Sequence, residues 1–427
     1  MTAVHQLSPG LFERLASGAG GVAAIRELRA AQLSKRLLLI RFLLTDPARD
    51  LLERVRIAAP DHYRDILGAP LVAGWAAIAA RAADDNVLAE ADRLFLNAIA
   101  LVAADAAGLA ATLDVPVHDG RAVLPGVGAF EALPATFLRV TTPLPRAVFP
   151  RSSPAATPSS GAALSPSAAL SPGGGWLPVR GLAAAAGGLT IRLTLDDLHP
   201  YRHGHHAPPA NRLSDEALDR WQTSFTEAWR LLATHLPTRA AELATGLETL
   251  VPLVQTDPRS ARAATLRHAF GVFGLTLPRT PHDFAVTLVH EFQHSKLSAL
   301  LDLAQLTDPA DDRHYFAPWR EDPRPLPGLL QGVYAFVGVA DTWRALRPEI
   351  EVATARFAEA RLQADRGLTA VEESGALTPD GTAFVAALRE TTDRLLAEPL
   401  PPQADEDARR KLADTYTAWQ QRRRQLI

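Results

Sequence analysis

The sequence predicts an α+β fold, predominantly helical, with an N-terminal helical bundle followed by a mixed domain of helices around a small sheet. Three observations point there. Apolar residues recur at helical spacing through most of residues 1–113 and again beyond residue 213. Between these regions, Gly and Pro punctuate short β-prone runs. The chain has 427 residues, 47% of them hydrophobic, enough for two or three domains or one large domain with insertions.

Residues 1–113 read as the bundle. Ala23 to Leu44 carries Ile25, Leu28, Leu33, Leu37, Ile40 and Leu44 close to helical spacing, and Asp46-Pro47 stops it. Leu51–Ala59, Leu71–Ala83 and Val87–Thr112 continue the pattern, the last two rich in Ala, which permits close helix packing. Residues 114–198 are strand-rich, with Arg121–Leu124, Thr136–Thr141 and the alternating Leu189–Leu195 as strands. Inside this region Pro150 to Gly175 is rich in Ser, Pro, Ala and Gly and nearly free of charge. It reads as a flexible insertion, because it has too little apolar surface to offset its ordering entropy.

Residues 199–400 form the second domain. It opens on His199, His203, His205 and His206, which read as a polar loop in preference to a second metal site, since Pro and Gly break any regular spacing. Leu213–Leu236 is a helix capped by Ser214, with Trp221, Phe225, Ala228, Trp229 and Leu232 as its buried stripe. Ala240–Leu250 reads as another. Ala264–Leu277 reads as a strand pair or one bent strand, with His268 on its polar side. Helices follow at Pro327–Leu346, Ile350–Asp365 and Thr378–Leu396, and residues 401–427 make a charged terminal helix.

Composition removes several classes of function. A formal charge of -3 and a pI near 6.5 argue against nucleic-acid binding driven by phosphate neutralisation. The absence of Cys excludes disulfides, thiolate metal sites and a cysteine nucleophile. The first residues lack a basic stretch followed by an apolar core, and no run of about 18 apolar residues occurs. The expectation is a cytoplasmic protein without a membrane partner.

The chemistry centres on Leu288-Val289-His290-Glu291-Phe292-Gln293-His294-Ser295-Lys296-Leu297, an HExxH motif in a helix-compatible run. At ~100° per residue, His290 and His294 lie roughly 40° apart on one face and one turn apart along the axis. Two imidazoles so placed can hold one metal ion, with Glu291 beside them to act on a metal-bound water or to hydrogen-bond its neighbours. Phe284, Leu288, Leu297 and Leu301 bury the other side, and Thr280-Pro281 starts the helix. A strand just before such a helix can offer a sheet edge to an extended peptide, so the second domain is expected to be a zincin-like metal-helix domain.

A zinc peptidase normally takes a third ligand from a second helix, and Pro327–Leu346 offers Gln331 and Asp341 but no Glu or His. Gln is a weak neutral ligand, which favours iron held by two imidazoles and an oxygen donor, with positions open for a cosubstrate and dioxygen. Such a site needs cations for the far carboxylate of 2-oxoglutarate; Arg320, Arg324 and Lys296 are the candidates.

The segments HEFQHSKL and YFAPWREDPRPLPGLLQGVYAF resemble the HExxH-domain proteins found beside peptide-modifying enzymes in actinobacterial natural-product gene clusters, and the texture extends over nearly the whole chain. That family is described as 2-oxoglutarate-dependent peptide β-hydroxylases. The resemblance implies iron(II) at His290 and His294, 2-oxoglutarate and dioxygen as cosubstrates, and a ribosomally made precursor peptide as substrate, with other peptide-modifying enzymes of the pathway as partners. On that reading Glu291 is a catalytic carboxylate in or next to the metal shell, Gln331 a metal ligand, and Trp319 and Tyr334 line the pocket. A zinc metallopeptidase and a non-catalytic peptide-binding module are the alternatives.

Overall fold

A computed structural model describes residues 7–131, 135–145, 175–204, 207–257 and 261–425. The chain is mostly helical with small sheets. Six helices come first: α1 (Leu11–Ala16), α2 (Gly21–Leu43), α3 (Ala48–Ala58), α4 (Pro60–Leu67), α5 (Pro70–Asp84) and α6 (Glu90–Ala106). Then β1 (Thr112–His118), β2 (Arg121–Leu124), β3 (Gly128–Glu131), β4 (Phe137–Thr141) and β5 (Trp176–Pro178) form an antiparallel sheet in the order β4-β1-β2-β3-β5. Apart from Gly175, the expected insertion Pro150 to Gly175 lies outside the described residues, as do His205 and His206.

The second half starts with β6 (Arg180–Ala186) and β7 (Leu189–Leu195), then α7 (Asp215–His235) and α8 (Pro237–Gly246). Next come β8 (Thr249–Pro252), β9 (Ala263–Thr265), β10 (Val272–Leu275) and α9 (Pro281–Leu300), the helix that carries the HExxH motif. A two-stranded ribbon of β11 (His314–Tyr315) and β12 (Arg324–Pro325) leads into α10 (Leu326–Leu346), α11 (Ala353–Glu372), α12 (Pro379–Ala397) and α13 (Pro402–Gln425).

The second sheet has the order β6-β7-β8-β10-β9. β7, β8 and β10 run parallel, and β9 closes the sheet antiparallel to β10, with Thr265 opposite Phe273. The central strands are buried on both faces, so they read as continuous apolar runs. That explains one departure from the sequence reading. Ala240–Leu250 is not one helix: it breaks after Gly246, and Thr249-Leu250-Val251-Pro252 becomes a fully buried strand. Gly246 sits where a Cβ would lie 2.5 Å from the Phe292 ring and 2.7 Å from Ile25, so α8 packs close against both α9 and α2 there. Ala264–Leu277 resolves into β9, a turn and β10, and His268 falls in that turn, exposed.

Local signals fix the helix starts. Ser214 Oγ accepts from Ala217 N (3.2 Å), and Thr280 Oγ1 accepts from Asp283 N (3.1 Å) with Pro281 in the first turn of α9. The N-terminal bundle is less separate than its sequence suggests. Leu11, Leu15, Ala24, Ile25 and Leu28 belong to the core around α7, α9 and α10. Ile40 and Leu43, at the other end of the same α2, belong to a second core built on Trp75, Phe95 and the first sheet.

Candidate metal site

On α9 the two motif histidines meet as the spacing predicts. Their Nε2 atoms are 3.1 Å apart, a separation that one ion bonded at about 2.1 Å to each nitrogen can span. Burial, and then the neighbouring His294 ring, pushes His290 down to about 3; burial also lowers His294. Both rings are therefore neutral at ordinary pH, the form that donates a lone pair to a metal.

Gln331 does not join them as a ligand. Its Oε1 lies 3.1 Å from His294 Nδ1, on the far side of that ring. The amide oxygen accepts the Nδ1 proton, which leaves the Nε2 lone pair facing His290. Gln331 Nε2 donates to Ser298 Oγ (3.2 Å), so the amide is itself held in this orientation. Ser298 has no signature in the sequence beyond its place one turn after His294.

Glu291 is 3% exposed. Its Oε2 accepts from Thr265 Oγ1 (2.7 Å), which ties the motif to β9, and its Oε1 lies 3.9 Å from His290 Nε2. Burial pushes this carboxyl up to about 7, with the Thr265 hydrogen bond opposing the rise. The carboxylate stands beside the imidazole pair, farther from His290 than the two rings are from each other.

His290, but not His294, faces a cleft of about 310 Å³ lined also by Ala263, Val286, Thr287, Glu291, Phe336 and Val339. Val286 and Thr287 lie four and three residues before His290, so helical spacing alone could have found them. Phe336 and Val339 come from α10 and carry no chemical signature. Among the described residues, no group of three His, Asp or Glu side chains is placed to hold a metal.

The other expected site residues lie elsewhere. Lys296 is completely buried; its Nζ donates to the carbonyls of Gly18 (3.1 Å) and Ala19 (2.7 Å) and pairs with Glu242 (2.8 Å). Two residues past His294 is a turn of ~200°, so it points out of the opposite face of α9. Tyr334 is likewise on the far side of α10 from the cleft, donating to Leu15 O (2.7 Å) beside Phe384. Trp319 stacks on Phe336 at 4.6 Å and fills the space over Gly332, where a Cβ would be 2.1 Å from it. It backs the cleft wall without lining it. Arg320 pairs with Asp322, and Arg324 sits in the β11–β12 ribbon opposite Tyr315; neither lines the cleft.

The chain matches no protein-family model and no curated protein.

The buried back of α9 fixes that geometry. Glu242 holds Lys296 with one oxygen and accepts from Gly21 N (2.8 Å) with the other. Gln293 Nε2 donates to Gly18 O (3.1 Å) and to Tyr334 O (3.2 Å). A Cβ at Gly338 would come within 2.7 Å of Gln293, so α10 and α9 approach closely at that point and bring Phe336 and Val339 over His290.

His199, expected in a polar loop, is instead buried at 1% exposure. Its Nδ1 accepts from Tyr201 N (3.2 Å), and its backbone N–H donates to the buried Asp196 (2.8 Å). It belongs to the packing around Phe95 and Tyr201, remote in the fold from the cleft.

Proposed function

We propose that this chain is an iron(II)- and 2-oxoglutarate-dependent oxygenase that hydroxylates a side-chain β-carbon of a ribosomally made peptide. The observation that supports a metal at this place is the convergence of the His290 and His294 Nε2 atoms beside an open cleft that His290 lines. Two imidazoles leave positions open for a cosubstrate and dioxygen. The choice of iron over zinc is supported by the resemblance carried by HEFQHSKL and the WREDPRP segment.

Iron held there would supply the activation of dioxygen, and the protein would supply everything that positions the peptide. The ladder between β9 and β10 turns the backbone N–H and C=O of Ala263 and Thr265 away from β10, since Arg262 O already accepts from Thr276 N (2.9 Å) and pairing alternates along the strand. Among the described residues no strand covers that outer edge, so an extended peptide can add to the sheet directly above His290 and Glu291. Gln331 keeps the His294 lone pair facing the metal position, and Thr265 holds Glu291 turned toward β9. Phe336, braced by Trp319, excludes water from one wall. None of Arg320, Arg324 and Lys296, the cations expected to grip the far carboxylate of 2-oxoglutarate, lies on the cleft wall, so these three residues do not fit that role.

Anaerobic loading with iron(II) followed by 2-oxoglutarate tests the reading. A weak visible charge-transfer band that vanishes in His294→Ala, and peptides that gain one oxygen atom, are expected. Zinc hydrolysis is the second reading, favoured by Glu291, a buried carboxyl near neutrality beside the imidazole pair. It gains if no band forms, if zinc binds stoichiometrically, and if Glu291→Gln abolishes peptide cleavage with the metal retained.

A further inference from the structure

A second groove, of about 260 Å³, lies between the β11 segment, the C-terminal end of α11 and the second half of α13. It shares no lining residue with the cleft beside His290. One wall is aromatic. Tyr416 and Trp419, three residues apart on α13, hold their rings nearly parallel, 18° apart in plane and 5.8 Å between centroids. The buried Phe316 closes the corner, 5.0 Å from Tyr416 and 5.3 Å from Trp419. Both α13 rings stay half-buried, on a helix whose sequence is otherwise dominated by charge.

The facing wall is one side of α11, where Arg366, Ala370 and Glu373 follow at spacings of four and three. The other charges of that helix have partners. Arg356 pairs with Glu359, Arg361 with Asp405, and Asp365 and Glu372 with Arg389. Among the described residues Arg366 and Glu373 have no ion pair, and both line the groove. The Arg366 guanidinium lies over the Tyr416 ring, 5.4 Å from its centroid, a contact that uses none of its N–H donors. The remaining polar groups are mostly committed. Arg313 donates to Asp311 (2.6 Å) and Ser374 O (2.7 Å), Tyr315 to Asp311 (2.8 Å), and the Ser374 hydroxyl to Val371 O (2.6 Å). His314 turns Nδ1 toward Asp312 O (3.3 Å) and keeps Nε2 for an occupant or for water.

Seven residues of helix separate Arg366 from Glu373 by about 10.5 Å along the axis. A polyproline II segment repeats every three residues at ~3.1 Å each, so side chains at i and i+3 leave one edge about 9.3 Å apart. Strand side chains at i and i+3 leave opposite faces and do not match. We infer that this groove holds a proline-rich peptide segment in the polyproline II conformation. An acidic residue of that segment meets Arg366, and a basic residue three positions away meets Glu373. The prolines between them lie on the Tyr416 and Trp419 rings, as proline-rich segments do in aromatic-lined grooves.

The test titrates the full chain calorimetrically with the capped peptides Gly-Asp-Pro-Pro-Arg-Gly and Gly-Arg-Pro-Pro-Asp-Gly, one for each direction of the segment. Proline lacks the N–H that a strand edge pairs with, so these peptides are poor ligands for the β9 edge. One of the two is expected to bind about three- to tenfold tighter than Gly-Ser-Pro-Pro-Ser-Gly, the scale of two half-exposed ion pairs. In the charge-exchanged variant Arg366→Glu with Glu373→Arg, the preferred order is expected to invert. No binding of either charged peptide, equal binding of the uncharged one, or an unchanged preference in the exchanged variant overturns the inference. So does tighter binding of an alanine-rich helical peptide carrying the same two charges seven residues apart. The unmodified series decides the matter even where the exchanged variant does not fold.

Discussion

Gln331 and Lys296 show how much depends on which way a side chain leaves its helix. Gln331 reaches the back of the His294 ring, where its amide fixes a tautomer, so Gln331→Ala should weaken metal binding about 10- to 100-fold by calorimetric titration. Full metal affinity in Gln331→Ala would mean the amide does not orient the ring. Lys296→Met should cost about 3–5 kcal/mol in denaturant unfolding, because it leaves the Glu242 carboxylate buried without its cation. Adding Glu242→Leu should recover part of that loss, an outcome a cosubstrate-binding lysine would not produce. The imidazole pair was legible in the sequence, since four residues on a helix bring two side chains together whatever the rest of the fold does. The places of Gln331 behind the His294 ring and of Lys296 on the buried back of α9 were not, because residue chemistry and sequence distance do not tell which face a side chain leaves.

At the scale of elements, β9 and the contact between α9 and α10 set the site. Ala263→Pro removes a donor that faces the open edge and not the β10 ladder, a position where an edge strand tolerates proline. It should weaken peptide binding by one hydrogen bond, about 0.5–1.5 kcal/mol, with a nearly unchanged melting temperature. A large drop in melting temperature would show that Ala263 N–H serves the fold instead. Gly338→Ala forces a methyl against Gln293 and should cost about 1–3 kcal/mol of stability while shifting Phe336 off His290. The long helices were legible because apolar periodicity and capping residues such as Ser214 and Thr280 are local. The short strand β8 was not, since a four-residue apolar run takes its identity from the strands on either side, whereas β9 and β10 fall in the strand pair expected over Ala264–Leu277.

In the whole molecule, two cores share one rod. Ile25 and Leu28 of α2 pack beside α9, while Ile40 and Leu43 of the same helix belong to the core that Trp75 and Phe95 share with the first sheet. A second whole-molecule property comes from His199. Burial, then Arg202 and His118, pushes it down to about 3, below its ordinary value of 6.5. The unfolded chain therefore binds a proton that the folded chain refuses between those two pH values. Stability should fall as pH drops through that window, by up to about 1.4 kcal/mol per unit from this group. Denaturant unfolding of His199→Asn should show a shallower acid loss than the unmodified chain; parallel curves would place the sensitivity in other groups.

The carbonyls of Gly18 and Ala19 carry a consequence for biosynthesis. They wait for a lysine 278 and 277 residues further along, and Leu15 O waits for Tyr334, 319 residues away. During translation the first turns leave the ribosome long before these partners exist: α8 supplies Arg239 to Gly18 O and Glu242 to Gly21 N, and the lock on the loop between α1 and α2 is complete only when α9 and α10 have been made. A ribosome-stalled chain halted before residue 296 should leave this loop open to protease, and one released at full length should protect it. The helix that carries the HExxH motif is then among the last pieces to be set.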